Sequence, residues 1–232
     1  MYRLFFKRFF DFLISLIALF VLSPILLILT VTGAIAMKGN PFFTQLRPGR
    51  IDKKTGNERI FKLIKFRTMS SAKDKEGNLL PDEIRLNGYG KFLRSTSLDE
   101  LPELINILIG DMSLVGPRPQ LVRDMVFMTD KQRVRHSVRP GLTGLAQIKG
   151  RNNITWEQKF EYDLEYINSG ISFFGDLKIL FGTVAAVFKR KDVVREGTES
   201  DIDFGDWLKN EGKIDEEFYN EKQNEAKELL GV

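Results

Sequence analysis

The chain has no cysteine and a single histidine, His136. The first absence excludes disulfide frameworks, thiolate metal sites and thiol nucleophiles. It fits a reducing, cytosol-facing setting. The second excludes His–His metal pairs, so nucleophilic or acid–base chemistry falls to carboxylates, lysines or tyrosines. A P-loop pattern and a strand-borne G-x-G-x-x-G are also missing, which excludes the ordinary nucleotide loops. No internal repeat is present. His136 reads as a surface or ordinary hydrogen-bonding residue, and Trp156 and Trp207 read as packing residues.

Charge is missing over one long stretch. Phe12–Met37, 26 residues, contains no charged side chain, and such a run belongs in a bilayer. As a straight helix it would reach roughly 39 Å, more than the ~30 Å hydrocarbon core requires. Three readings compete. A cleaved signal peptide has a basic start (Arg3, Lys7, Arg8) and an Ala34-Ile35-Ala36 exit, but the apolar run is about twice the usual length. A single span would be kinked at Pro24. A re-entrant wedge would enter and leave by one face, bent at Ser23-Pro24. Pro24 lies near the middle, where it removes a backbone donor and bends a helix. Both flanks are basic, with Lys38, Arg47 and Arg50 following, and Lys/Arg-rich flanks are the cytoplasmic ones. The Ser23 hydroxyl is placed to satisfy a carbonyl that Pro24 frees. These features leave span and wedge both open.

The net charge of +4 conceals an asymmetry. Residues 197–232 carry 11 acidic and 4 basic side chains, and residues 1–196 are left with a net charge of +11. A basic body suits an anionic partner: lipid, nucleic acid or a phosphorylated small molecule.

Along the remainder, Ile60–Met69 alternates as a strand, preceded by the hairpin-type turn Thr55-Gly56-Asn57. Ser70–Asp82 is a loop. Ile84–Leu93 and Gln120–Thr129 are expected helices, and Leu142–Ile148 an expected strand. Trp156–Ile167 is an expected helix with Phe160, Leu164 and Ile167 on one side. Ile171–Arg190 suits either an interfacial helix with basic ends or a buried core helix. Lys209–Gly231 is an acidic helical tail broken at Gly212.

The chemically informative cluster is Ser97-Leu98-Asp99-Glu100-Leu101-Pro102-Glu103. It has the pattern of a capping box, with Ser97 as N-cap and Glu100 three residues on. Pro102 opposes a continuous helix there. Adjacent carboxylates on a helix point about 100° apart. Asp99 and Glu100 therefore suit a nucleophile with a supporting neighbour better than two acids flanking one bond. Cations are abundant around them in sequence, and Arg118, locked between Pro117 and Pro119, presents a planar fork suited to phosphate or a base edge.

Several ordered runs resemble the monotopic phosphoglycosyl transferases, a family of bacterial sugar transferases. They are Lys7-Arg8-Phe9-Phe10-Asp11, Ser23-Pro24, Phe43-Thr44-Gln45 with Arg47-Pro48-Gly49, and Lys65-Phe66-Arg67-Thr68-Met69. Arg94 through Pro102, Gly110-Asp111-Met112-Ser113 and Gly116-Pro117-Arg118-Pro119 follow. Arg139 through Gly144 and Gly150-Arg151-Asn152 complete the set. The chain looks like the short form of the family, without extra N-terminal transmembrane helices.

The resemblance implies transfer of a sugar 1-phosphate from a UDP-sugar to undecaprenyl (polyprenyl) phosphate, releasing UMP. It implies Asp99 as nucleophile in a covalent aspartyl-phosphosugar intermediate, Glu100 as its partner, and Mg²⁺ at Asp99. Arg94 is implied at a phosphate, Arg118 in nucleotide recognition, and Lys65 and Arg151 in substrate binding. It also implies a membrane break at Ser23 and Pro24, and a place on the cytoplasmic face of the bacterial membrane in contact with lipid.

The expected architecture is α/β and mostly helical. Residues 1–40 form a re-entrant membrane helix. Residues 41–196 form a small interfacial catalytic domain with amphipathic helices and a short β-hairpin, and 197–232 an acidic helical extension. That extension lies outside the resemblance. It is free to cap the domain, meet a second protomer to form a homodimer, or dock a later pathway glycosyltransferase. No nucleic-acid partner is implied. The competing reading is a non-catalytic, membrane-tethered basic module. It explains the basic body but not Asp99-Glu100, and it predicts binding that collapses as salt rises.

Overall fold

A computed structural model describes residues 1–150, 154–189 and 202–231. After a π-helical turn at Tyr2–Phe6, the apolar stretch forms two helices, α1 (Lys7–Val21) and α2 (Ser23–Met37), bent by 64° at their junction. Pro24 has no N–H for the carbonyl of Phe20, and its ring crowds that carbonyl. The Ser23 hydroxyl donates to Phe20 O at 2.7 Å instead. No single described helix is long and apolar enough to cross a membrane, but this bent pair passes that test of length and composition together. Phe20, Val21, Leu27, Ile28 and Ile35 are all more than 60% exposed, so much of the pair's apolar surface has no protein partner.

The hairpin pairs β1 (Phe42–Ile51) with β2 (Glu58–Phe66) antiparallel, from Phe42 opposite Phe66 to Ile51 opposite Glu58, with an irregularity between Pro48 and Ile51. Where one helix was expected over 84–93 there are two, α3 (Asp82–Arg85) and α4 (Gly88–Thr96). Asn87 separates them because its side chain caps α4, accepting from Gly90 N at 2.9 Å.

The expected capping box at Ser97 does not form. Ser97 ends α4 in the left-handed region, φ 57°, and Leu98–Glu100 is a single 3₁₀ turn. Pro102 decides this: it cannot donate to an intrahelical bond, so the helix restarts as α5 (Glu103–Ile109) with Pro102 at its N-cap. Gly110, φ 96°, stops α5, since glycine adopts the left-handed region without strain.

A second, parallel pair joins β3 (Ser113–Val115) to β4 (Gly141–Thr143). The expected helix over 120–129 shrinks to α6 (Val122–Met125), followed by α7 (Asp130–Arg133) with Thr129 as its cap. The expected strand over 142–148 is mostly α8 (Leu145–Lys149). Three backbones meet here: a Cβ on Gly141 would lie 2.1 Å from Gly116 N, and one on Gly144 would lie 2.3 Å from Gly116 O. The chain leaves β4 at this crossing and cannot continue the ladder.

The remaining helices are α9 (Trp156–Asn168), α10 (Phe173–Lys189), α11 (Phe204–Asn210) and α12 (Glu216–Leu230). α9 starts in a capping box between Thr155 and Gln158. α10 buries Asp176 and Ile179 but leaves Phe174 79% and Phe181 67% exposed, so of the two expected forms it is the amphipathic one and not a wholly buried core helix.

Three apolar clusters hold the elements together. One joins Phe61 and Leu63 to Leu104, Ile107, Val115, Ile167 and Ile179. A second seats α2 through Leu29 against Phe66 and Leu93. The third packs Phe127, Trp156 and Phe160 against Phe204 and Ala226 of the acidic extension.

Buried polar contacts fasten the N-terminal helices to this body. Arg8 donates to the carbonyls of Ile107 (2.5 Å) and Leu108 (2.7 Å), capping the C-terminal end of α5. Asp11 accepts from Leu114 N at 3.0 Å. Asp176 gathers Lys7 Nζ (2.6 Å) with the hydroxyls of Tyr2 and Tyr166 (2.8 Å each).

Candidate active site

The site is assembled from four separate segments: β2, the 3₁₀ turn with α5, the end of α4, and the loop after β3. α5 is pinned to β2 by Asn106, which is fully buried. Its Oδ1 accepts from Ile64 N at 3.0 Å and its Nδ2 donates to Lys62 O at 2.7 Å. This clamp sets Lys65 against the acidic turn. Lys65 Nζ lies 3.1 Å from Glu100 Oε1 and 3.1 Å from Glu103 Oε1.

Arg118 closes the other side, its guanidinium donating to both oxygens of Glu100. Its backbone is held from below. Arg135 Nη2 donates to Arg118 O at 2.7 Å, and Arg47 Nη1 donates to Pro119 O at 3.2 Å. Arg135 is itself fixed by Asp163 of α9 at 2.7 and 2.9 Å, both residues being buried.

Electrostatics separate the carboxylates. Burial would raise Glu100, but the Arg118 guanidinium and the Lys65 ammonium overcome it and hold Glu100 well below the usual range. Asp99 is pushed up to about 6 by burial and by the Glu100 charge, against the pull of Lys65, Arg118 and Arg94. Burial, reinforced by Glu100, lifts Glu103 to about 7. Burial disfavours the Lys65 ammonium, yet Glu100 and Glu103 more than compensate and raise it. The dyad therefore contains one firmly ionised, fully engaged carboxylate and one half-buried, poorly solvated one.

The predicted residues Asp99, Glu100, Lys65 and Arg118 thus come together. Arg94 stands at the end of α4, where its Nε donates to Thr68 Oγ1 at 3.2 Å, and its charge reaches Asp99. Arg151 lies outside the described residues. Ser23 and Pro24 form the helix break and take no part in the site. An open cleft of about 570 Å³ beside α11 is lined by Asp82, Arg123, Asp203 and Asp206, among others, and by none of the predicted site residues.

The sequence matches the bacterial sugar transferase family over residues 2–190. The chain belongs to that family. It is 48% identical over 194 residues to the uncharacterized sugar transferase EpsL of Bacillus subtilis, covering 83% of this chain and 90% of that one. It is 42% identical over 196 residues to the UDP-glucose:undecaprenyl-phosphate glucose-1-phosphate transferase of Klebsiella pneumoniae, covering 80% of this chain but 41% of that one. The exopolysaccharide production protein ExoY of Sinorhizobium fredii is 35% identical over 198 residues, covering 78% of this chain and 84% of the other. As a member of this family the chain is an enzyme, a phosphoglycosyl transferase.

The fold gives meaning to residues that sequence reasoning passed over. Asn106 is the lone polar side chain between Leu104-Ile105 and Ile107-Leu108-Ile109. An amide in such a run must find buried partners, and that was its available signal. Arg135 gave no such signal, standing in a polar stretch beside other basic residues. His136 was read as an ordinary histidine and does make an ordinary bond, to Glu58 Oε1 at 2.9 Å, but it is buried rather than on the surface.

Proposed function

We propose that this sugar transferase moves a sugar 1-phosphate from a UDP-sugar to a polyprenyl phosphate, undecaprenyl phosphate in bacteria, through a covalent phosphosugar on Asp99. The observation that carries the reading is the unequal dyad. Glu100 is saturated by Arg118 and Lys65, while Asp99 keeps a desolvated carboxylate with raised basicity, which suits a nucleophile.

In the first step an Asp99 oxygen bonds to the sugar-linked phosphorus, and the phosphorus–oxygen bond to the second phosphate breaks. UMP leaves with that bond's electron pair. In the second step an oxygen of the lipid phosphate attacks the same phosphorus, and the Asp99 carboxylate departs unchanged. An anion approaching an anionic pyrophosphate meets repulsion, and Lys65, Arg94 and Arg118 supply fixed positive charge where it builds up.

The donor set also fits the expected Mg²⁺. Among the described residues no group of three His, Asp or Glu could cage a metal. Mg²⁺, however, is commonly held by one or two carboxylates together with substrate phosphates, and Asp99 offers such an oxygen. When bound, the ion neutralises charge on the pyrophosphate.

The bent helix pair is read as a re-entrant wedge in the cytoplasmic leaflet. Each half has 15 residues, about 22 Å of helix, too short to span alone. With the exposed apolar face of α10, the wedge holds the dyad at headgroup depth, where a soluble donor and a lipid phosphate can both reach it.

The test is UMP release from a panel of UDP-sugars with undecaprenyl phosphate and Mg²⁺. Release that stops with chelator or with Asp99→Asn is expected. No release across the panel would refute transfer, and retained turnover in Asp99→Asn would refute the nucleophile.

A further inference from the structure

We propose that the C-terminal extension, α11 with α12, is a positioning element for Arg118, acting through Phe204. This rests on the transfer reading above, together with the nucleotide-recognition role that the family resemblance implies for Arg118. The family match ends at residue 190, so the extension is an addition to the shared core.

Of the elements that flank or support the Arg118 loop, the extension grips two. The first is α6, which follows the Arg118 loop directly. Asp124 of α6, 2% exposed, accepts from Leu121 N at 3.1 Å through one oxygen and from Phe204 N at 2.8 Å through the other. Arg123 pairs with Asp203 alongside. The second is α9, whose Asp163 fixes Arg135 and so the Arg118 carbonyl. The Phe204 ring, also 2% exposed, lies 5.1 Å from both the Trp156 and the Phe160 rings of α9. Phe160 in turn sits under the Arg135 guanidinium, 5.8 Å from its centroid. Trp156 Nε1 donates to Ile202 O at 3.1 Å.

One residue therefore ties the Asp124 carboxylate of α6 to the aromatic face that seats Arg135. A cap that only covered apolar surface would need the ring but not the bond from Phe204 N to a buried carboxylate. That bond fixes the distance between the two supports of the Arg118 loop.

The experiment uses the full chain with Phe204→Ala, Phe204→Leu and Asp124→Asn, each alone and combined with Arg118→Ala. It reads KM and kcat for the UDP-sugar, together with UMP affinity by calorimetry. The expected result is a rise of about tenfold in KM and in the UMP dissociation constant, equivalent to about 1.4 kcal/mol, with kcat little changed. Phe204→Leu should recover most of the loss. In the Arg118→Ala background the same substitutions should add nothing, because coupled residues are not additive.

An equal additional loss in that background, or no change in KM and UMP affinity in a folded variant, overturns the proposal. If Phe204→Ala does not fold, Phe204→Leu and Asp124→Asn carry the same two outcomes. If the wild-type protein releases no UMP, the transfer reading is what fails. The affinity arm then still decides whether Phe204 acts through Arg118.

Discussion

Replacing Asn106 by leucine keeps the volume of the side chain and removes both of its amide bonds. Ile64 N–H and Lys62 C=O would then face leucine methyls at a fully buried position, the two contacts that were 3.0 and 2.7 Å long being lost. A buried backbone group left unpaired costs about 1–3 kcal/mol, so the pair costs about 3 kcal/mol after allowance for relaxation. For a chain of this length that lowers the unfolding midpoint by roughly 6–12 °C. Activity should fall as well, because Ile64 adjoins Lys65 and Asn106 is one turn from Glu103, and the 3.1 Å contact between those two depends on the clamp. The assays are thermal unfolding of the detergent-solubilised protein and UMP release at a temperature where the variant stays folded. Asn106→Asp, which keeps the acceptor for Ile64 N, should lie between leucine and wild type. An unchanged midpoint for Asn106→Leu would refute the claim that this amide holds α5 to β2.

Acid should unfold the protein through the Glu58–His136–Arg133 cluster. Burial would raise Glu58, but His136 and Arg133 hold it down at about 2, so its contribution of about 3 kcal/mol is complete above the unfolded value near 4.5 and is lost as pH falls toward 2. Burial also lowers His136, so stability begins to drop once the unfolded chain takes up that proton below about 6.5. Glu58→Gln should flatten the lower window when unfolding is followed against pH; a steep loss retained there would contradict the assignment. Ser23→Ala with Pro24→Ala should merge α1 and α2 into one helix. Impermeant labelling of cysteines placed before Phe12 and after Met37 should reach both from the cytoplasmic side in the otherwise native chain. Only one should be reached after straightening, and identical patterns would argue against the wedge. Gly141→Ala should disrupt the site, because a Cβ there would lie 2.1 Å from Gly116 N in the backbone leading to Arg118. Wild-type KM in that variant would show that the crossing does not fix the Arg118 loop.

What the amino-acid order determined by itself was local. An uncharged run of 26 residues sets an apolar helical surface, and a proline at its centre sets a break, because the missing N–H is a property of that residue alone. Thr55-Gly56-Asn57 turned the hairpin and Gly110 stopped α5 for equally local reasons. Ser97 shows where local reasoning ends: its spacing to Glu100 matches a capping box, yet Pro102 moves the helix start and leaves the dyad in a 3₁₀ turn. The tertiary structure decided the partnerships. Glu100 meets Lys65, 35 residues away, and Arg118, 18 away. Arg8 caps a helix 99 residues on, and Phe204 reaches Asp124 across 80. Such contacts leave no periodicity to read, because a charge or an amide is satisfied by whatever the fold brings within about 3 Å. Asp99 and Glu100 are neighbours in the chain. Only the fold made them unequal: Arg118 and Lys65 hold Glu100 as a fixed anion, while burial and the Glu100 charge push Asp99 up.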